Sequence, residues 1–306
     1  MQMTGIPGLE ELHLLLTYRC DMECDHCFVW SSPRSWATMN LKDITSIIDQ
    51  AAEVPTIKTI YFEGGEPFLY YPLLLKGIEY ARIRGFDIGV VTNAYWANNE
   101  DDASLWLEPL LDKGIVDLSI SIDEYHGTNE PKRNVERAVK AAREVGLPVN
   151  VLEIQGIKAY DREIPVQSDA NKLYFRGRAA EKLVKNASRY PHDQLGGCPE
   201  NPPNIRRLHV DCFGNLQFCQ GVSIGNIWIQ PLSKIVVTFV PEKHPIIGPL
   251  MRGGLSELSR TCGMMPSDNY ADACHFCYLI RVEMISRRMY RGILRPLQTY
   301  GMEGMD

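Results

Sequence analysis

Three cysteines stand close together near the start of the chain and constrain what the surrounding fold can be. Cys20, Cys24 and Cys27 follow directly on an apolar run at residues 12–16. Thiolates at this spacing can converge on one iron–sulfur cluster, which normally takes four cysteine ligands. With three ligands, one iron keeps an open position, as the metal of a catalytic zinc site does. We therefore expect a cluster that binds and splits a ligand, rather than one that only carries electrons.

Length, charge and cysteine distribution narrow the class of protein. The 306 residues suffice for about two domains, and a net charge of −6 gives no general reason to bind nucleic acid or an anionic membrane. No stretch approaches the ~18 apolar residues of a membrane span. Nine cysteines without a visible signal peptide argue against a disulfide framework. We expect a cytoplasmic protein with two metal centres, because the cysteines fall into two distant groups.

Strand and helix patterns alternate through the first two thirds of the chain. Repeated strand–helix units imply a parallel sheet, and six of them can curve into an incomplete barrel. Ligands bind at the carboxyl ends of such strands, and the three cysteines lie just past the end of the first. The strands are predicted at 12–17, 59–62, 87–92, 116–122, 148–154 and 173–175, and the helices at 41–53, 72–84, 102–113, 132–145 and 178–185.

The pattern changes after the last of these units. Residues 205–210 and 216–219 predict a β-hairpin. Residues 278–290 predict a basic helix. The basic run at residues 281–295 predicts a solvated helix face, and a docking site for an acidic electron donor is the alternative interpretation of that run. We therefore expect an α/β protein with a partial (β/α)6 barrel over residues 1–190 and a small α+β domain over residues 191–306.

The three-cysteine motif, with His26 before its last cysteine, resembles the signature of the radical S-adenosylmethionine (SAM) superfamily. A second match, Gly-Gly-Glu-Pro at residues 64–67, follows the second strand. In this family the backbone and glutamate of that motif hold the SAM amino group, and glycine permits close backbone approach. The resemblance covers roughly residues 10–190. It implies SAM-binding roles for Gly64, Gly65, Glu66, Pro67, Thr92, Asn93, Ser119, Ser121 and Arg178.

The resemblance also implies the cofactors and the chemistry. A catalytic 4Fe-4S cluster chelates SAM through its open iron. One electron, from a flavodoxin- or ferredoxin-type donor, then cleaves SAM to methionine and a 5′-deoxyadenosyl radical, which takes a hydrogen atom from the substrate. The cofactor carries the hard chemistry, while the protein orients it and excludes solvent.

The later cysteines resemble the auxiliary-cluster domains of this superfamily, called SPASM when they hold two clusters and twitch when they hold one. No cysteine follows position 277, which favours twitch. A structural zinc site with the same thiolates is the alternative. Cys212 and Cys262 are left over as expected core thiols, although Cys262 could replace one ligand. The predicted ligands of a second 4Fe-4S cluster are Cys198, Cys219, Cys274 and Cys277.

Four polar residues stand where the fourth strand should open into the active site. They are Asp123, Glu124, Tyr125 and His126. A carboxyl group, a phenol and an imidazole at this place can bind substrate or move a proton, which makes them candidate catalytic residues. A solvated polar loop is the alternative interpretation.

Three functions remain open at this level. We expect two-electron oxidation of a small polar metabolite, because an auxiliary cluster can accept the electron left on a substrate radical. A maturase that crosslinks or epimerises a ribosomal peptide is the first alternative. The short segment before the barrel tilts slightly against a leader-guided peptide, whereas Cys212 or Cys262 beside the substrate would favour epimerisation. A non-catalytic electron carrier is the second alternative, but a carrier has no need of residues 64–67.

Overall fold

The computed structural model describes residues 5–126, 129–154, 172–266 and 269–302. In these ranges the chain forms eight strands and eight α-helices. The strands are β1 (Glu11–Thr17), β2 (Thr59–Gly64), β3 (Asp87–Thr92), β4 (Asp117–Ile122), β5 (Val149–Glu153), β6 (Arg207–Val210), β7 (Asn215–Cys219) and β8 (Val222–Asn226). The helices are α1 (Leu41–Ala52), α2 (Tyr71–Ile83), α3 (Glu100–Asp112), α4 (Asn129–Glu144), α5 (Ala179–Lys182), α6 (Leu232–Thr238), α7 (Ile247–Thr261) and α8 (Ala273–Ser286).

All eight strands belong to one sheet with the order β5-β4-β3-β2-β1-β6-β7-β8. Strands β1 to β5 pair with their neighbours in parallel, and helices connect β1 to β2, β2 to β3, β3 to β4 and β4 to β5. This confirms the mixed α/β fold with an open parallel sheet, consistent with a partial barrel. Parallel pairing of consecutive strands requires such crossover connections, so a sequence pattern of alternating strands and helices indicates a parallel sheet.

The sixth parallel strand differs from the predicted one. Residues 172–176 form no strand, and the amide of Phe175 donates instead to the Asp272 carboxylate at 3.2 Å. The strand beside β1 is β6, whose Leu208 lies opposite Leu12 in parallel register. Strands β6, β7 and β8 continue as an antiparallel meander, in agreement with the predicted hairpin. The sheet therefore runs across position 190, and the domain boundary placed there remains a prediction.

The two faces of the sheet carry opposite chemistry. On β1, Leu12, Leu14 and Leu16 are fully buried and share one apolar cluster with Ile44 and Ile47 of α1. Successive strand residues point to opposite faces, so the residues between these leucines face the inside of the curved sheet. There the side chains are mostly polar, and they line a common cavity that includes Glu11, His13, Tyr61, Glu63, Asp117, Ser119, Ser121, Arg207 and His209.

A second apolar cluster packs the helices that follow the sheet. Leu258 of α7 and Phe276, Ile280 and Met284 of α8 are fully buried in it, and Val222 of β8 joins them. Through β8 the late helices pack onto the strands that extend the barrel sheet. This arrangement places the start of α8 close to the end of β7.

We predict that Leu208→Ala lowers the free energy of unfolding by about 2–5 kcal/mol, because it removes a fully buried side chain where β6 pairs with β1. Ile229→Ala is the matched control. Ile229 is 87% exposed, so its replacement should change stability by less than about 0.5 kcal/mol. Anaerobic urea unfolding of the two variants measures the difference. Equal stabilities would contradict the placement of β6 in the core sheet.

Candidate active site

The three-cysteine loop follows β1 at the carboxyl end of the sheet, and its thiols line the cavity inside the sheet. Burial, with the neighbouring Cys27 thiol, raises the pKa of Cys24 to about 12, and burial likewise raises the pKa of Cys20. Cysteine binds a metal ion as the deprotonated thiolate, so metal binding here must displace the protons of these thiols. Three thiols around one end of a cavity fit a cluster held by three ligands.

Gly177 and Arg178 contact the backbone of the cysteine loop. The Arg178 guanidinium donates to the carbonyl oxygens of Cys24 and Ser31, both at 2.7 Å, and its amide donates to the carbonyl oxygen of Cys27 at 2.9 Å. Gly177 has a φ of +58°, and a Cβ there would stand 2.6 Å from the Cys27 oxygen. The described contacts of the Arg178 side chain therefore hold the loop backbone. Its predicted SAM contact remains a prediction.

The Gly-Gly-Glu-Pro motif lies against the end of β1. A Cβ on Gly64 would stand 2.4 Å from the Thr17 carbonyl oxygen, and one on Gly65 would stand 2.1 Å from the Arg19 carbonyl oxygen. The Glu66 amide donates to that same Arg19 oxygen at 2.9 Å. The two glycines thus allow the end of β2 to lie close to the end of β1 and to the start of the cysteine loop. Pro67, the fourth residue of the motif, begins the 3-10 turn Pro67–Tyr70.

Glu66 is completely buried and joins the ends of β2 and β3. One carboxylate oxygen accepts from the Phe68 amide at 3.0 Å and from the Thr92 hydroxyl at 2.8 Å, and the other accepts from the Asn93 amide at 2.8 Å. Burial nevertheless raises the pKa of Glu66 to about 8. The Asn93 side chain in turn donates to Asp21 in the cysteine loop at 2.8 Å. The motifs of the first three strands therefore form one connected network.

The four polar residues after β4 separate into two groups. Asp123 is buried; it accepts from His126 Nδ1 at 2.9 Å and lies 3.5 Å from His26 Nε2. The Tyr125 ring packs on His26 with centroids 5.3 Å apart, whereas Glu124 is exposed. Burial opposes the ionised form of Asp123, but the His126 hydrogen bond and both imidazoles keep its pKa below the usual value. The structure therefore brings three of the four residues to the cysteine loop.

The cavity itself has a volume of about 450 Å³, within the range of small-molecule sites. Ser119 and Ser121 of β4 line it, and the Ser121 hydroxyl lies 3.4 Å from His126 Nε2. Sequence reasoning placed these serines here but missed His13, Glu63 and His209 deeper inside. Their signal was available, because polar residues at every second position of a buried strand indicate a polar interior face.

The four late cysteines share a second cavity. Cys198 precedes β6, Cys219 ends β7, and Cys274 and Cys277 lie in the first turns of α8. Burial, followed by the charges of Cys219 and Cys277, raises the pKa of Cys198 to about 12. Three separate segments of the chain therefore contribute four cysteines to one cavity, and their role as ligands of a second cluster remains a prediction.

Two arginines line the same cavity, of which Arg176 is partly buried and Arg281 is buried. Arg176 donates to Cys219 Sγ at 3.3 Å and pairs with Glu200 at 2.7 Å. Arg281, expected on a solvated helix face, is only 2% exposed, so that prediction was wrong for this residue. Its guanidinium donates to the carbonyl oxygen of Gln220 and the hydroxyl of Tyr300. Within the described ranges no carboxylate pairs with Arg281, so its positive charge has no anionic partner among those residues.

The two remaining cysteines lie outside both cavities. The Cys212 thiol donates to the Leu15 carbonyl oxygen at 3.5 Å, and the Cys262 thiol donates to the Ser259 carbonyl oxygen at 3.3 Å. Both pack among apolar side chains, as expected for core thiols.

Among the described residues, none of the helices has the length and apolar character needed to span a membrane.

Comparison with known proteins agrees with this geometry. YydG of Bacillus subtilis (strain 168), named for peptide biosynthesis, is 29% identical over 128 residues, or 42% of this chain and 40% of that protein. A Pyrococcus furiosus protein, named as modifying the cofactor of tungsten-containing aldehyde ferredoxin oxidoreductase, is 29% identical over 116 residues, or 38% of this chain and 31% of that protein. The chain therefore spans less than half the length of these two relatives.

The solved structure of anSMEcpe with bound AdoMet matches over 91% of this chain and 97% of that one. The TM-score is 0.50 and the identity 15%, so the likeness concerns the fold. The family model described as the radical SAM superfamily matches residues 14–166, half of the chain, and this range includes the three-cysteine loop and residues 64–67. The chain belongs to the radical SAM superfamily.

Proposed function

We propose that this protein cleaves SAM reductively and abstracts a hydrogen atom from a peptide substrate, with a second iron–sulfur cluster serving a net oxidation. The observation that carries the proposal is a single polar cavity that begins at three cysteine thiols and continues into the interior of the sheet. When bound, the cluster and SAM supply a 5′-deoxyadenosyl radical. The protein supplies the position of that chemistry and its isolation from water.

The chain's own residues fix the geometry of the first site. Arg178 and Gly65 hold the two ends of the cysteine loop, so the thiols have a defined direction before metal binds. Ser119 and Ser121 face the cavity and offer hydroxyl groups to the SAM ribose and carboxylate. The pair of Asp123 and His126 can hold a proton at His126 Nε2, which lies at the cavity wall.

Electrostatics supports an anionic group in the second cavity. A fully buried guanidinium without a counter-charge is costly, and Glu200 contacts Arg176 rather than Arg281. A 4Fe-4S cluster with four thiolates carries net negative charge and would compensate Arg281. A zinc ion with four thiolates would carry a similar charge, so the charge argument fits both groups. The resemblance to auxiliary-cluster domains favours iron, and iron content distinguishes the two.

The relatives shift the proposed substrate class from a small polar metabolite towards a peptide. The support is the naming of YydG for peptide biosynthesis, over the 40% of its length that this chain matches. An auxiliary cluster that accepts the electron left on a substrate radical suits an oxidative peptide modification. Epimerisation with Cys212 or Cys262 as hydrogen donor is disfavoured, since neither thiol lines the cavity.

Deuterium transfer tests the substrate class. Extract from the source organism, grown on fully deuterated medium, is separated into a peptide fraction and a small-metabolite fraction. We expect the reduced enzyme to form deuterated 5′-deoxyadenosine with the peptide fraction only, because the hydrogen abstracted by the radical comes from a carbon of the substrate. Mass spectrometry measures the label. Transfer from the small-metabolite fraction alone would contradict the peptide proposal and support oxidation of a metabolite.

We predict that Cys24→Ala lowers 5′-deoxyadenosine formation by more than about 100-fold, because loss of a direct ligand should exceed the 10–100-fold cost of outer-layer changes at metal sites. Cys262→Ala, which alters a thiol outside both cavities, is the control and should keep the wild-type rate. Anaerobic assay with dithionite and SAM measures both. SAM cleavage by Cys24→Ala at the native rate would show that the assignment is wrong.

We predict that Cys274→Ala removes about four irons per chain, the content of one cubane cluster, and leaves SAM cleavage within about threefold of wild type. The reason is that Cys274 lines only the second cavity. Cys262→Ala is the control, since it also removes one buried thiol but lies outside the second cavity. Iron analysis of reconstituted protein gives the count. Unchanged iron in Cys274→Ala would exclude this residue as a cluster ligand.

A further inference from the structure

Deeper in the cavity, three side chains from adjacent strands converge on one point. His13 lies on β1, Glu63 on β2 and His209 on β6, and His13 stands opposite His209 in the parallel register. Nitrogen or oxygen atoms of the three side chains all lie within 4.8 Å of one another. His13 precedes Thr17 by four residues, about 13 Å along an extended strand, so His13 lies away from the cysteine loop, whereas Glu63 directly precedes Gly64.

The distances among these atoms are compatible with those between the ligands of one metal ion. Glu63 lies 3.4 Å from His13 Nδ1 and 3.2 Å from His209 Nε2. Ligand atoms about 2.0–2.2 Å from a tetrahedral ion stand roughly 3.3–3.6 Å apart. Neither contact is aligned as a hydrogen bond, and both His13 Nδ1 and one Glu63 oxygen are buried without a hydrogen-bond partner. Such groups usually find a partner, because an unsatisfied buried polar atom costs about 1–3 kcal/mol.

The surroundings favour positive charge at this point. The Glu11 carboxylate lies 3.4 Å from the other nitrogen of His13, the arrangement in which a carboxylate orients a metal-bound histidine. Arg207 is the nearby cation, and its guanidinium pairs with Glu200 at 3.2 Å. The cluster therefore contains one carboxylate, Glu63, and has a second, Glu11, beside it.

We propose that His13, Glu63 and His209 bind one divalent transition-metal ion, with open coordination positions facing the cavity. Two imidazoles and a carboxylate suit Zn²⁺ and non-haem Fe²⁺. An ion held there would offer a site for a carboxylate or carbonyl oxygen of a substrate that enters the same cavity. The competing account is a His13–Glu63 ion pair in which a proton occupies the place of the metal. The proposal is independent of the reaction proposed above.

Zinc binding to the reconstituted holoenzyme tests this site, because iron and sulfide then occupy the cysteines. After removal of loose metal with a chelator, protein is equilibrated with ZnCl₂ and analysed for metal and by zinc X-ray absorption. We expect one zinc per chain with nitrogen and oxygen neighbours and no sulfur. Glu63→Gln and His209→Gln should weaken zinc binding by at least about 10-fold, since each removes a ligand. His192→Gln, outside the cavity, should bind as wild type.

Three results would overturn the proposal. They are absence of stoichiometric zinc in holoenzyme with full iron content, sulfur neighbours around the zinc, and equal zinc affinity in all three variants. The absorption spectrum of the wild type decides the question even where a variant misfolds. SAM cleavage is measured on the same samples, so loss of the radical chemistry and loss of the zinc site are distinguished.

Discussion

The close contact between the end of β2 and the end of β1 determines where the cysteine loop leaves the sheet. A Cβ on Gly65 would stand 2.1 Å from the Arg19 carbonyl oxygen, so a side chain at position 65 would force the backbone of the loop to move. Glu66 extends this contact to β3 through the Asn93 amide, and Asn93 returns to the loop through Asp21. The loop that carries the thiols is therefore held by the first three strands of the parallel sheet.

One short segment touches both groups of cysteines. Arg176 donates to Cys219 Sγ in the second cavity, and Arg178 donates to the Cys24 carbonyl oxygen in the first. Gly177 lies between them and packs directly on the Cys27 backbone. Residues 176–178 thus couple the positions of the two candidate metal centres. Arg178 is buried against backbone carbonyl oxygens, and the partly buried Arg176 contacts Glu200 and the Cys219 sulfur.

Sequence patterns predicted the parts of the fold that depend on neighbouring residues. The strands β1 to β5 and the hairpin of β6 and β7 follow from apolar runs and turn residues, and the three-cysteine motif marked the site. The pattern could not place β6 beside β1, since parallel pairing between distant segments leaves no local signal. Arg281 was predicted to face solvent because it belongs to a run of basic residues. The sequence of the helix does not show that distant cysteines pack against this one arginine. The polar alternation indicates that His13, Glu63 and His209 face the interior, but their convergence depends on the pairing of three strands and leaves no local pattern.

The central claim is that the chain holds two separate cysteine centres, one with an open coordination position and one closed. Iron and zinc analysis of anaerobically reconstituted protein with Cys20, Cys24 and Cys27 all replaced by Ala tests it most directly. The account predicts about four irons remaining per chain, one cubane held by four thiolates. Absence of iron, with or without zinc bound in its place, would contradict the second cluster and leave a single catalytic centre.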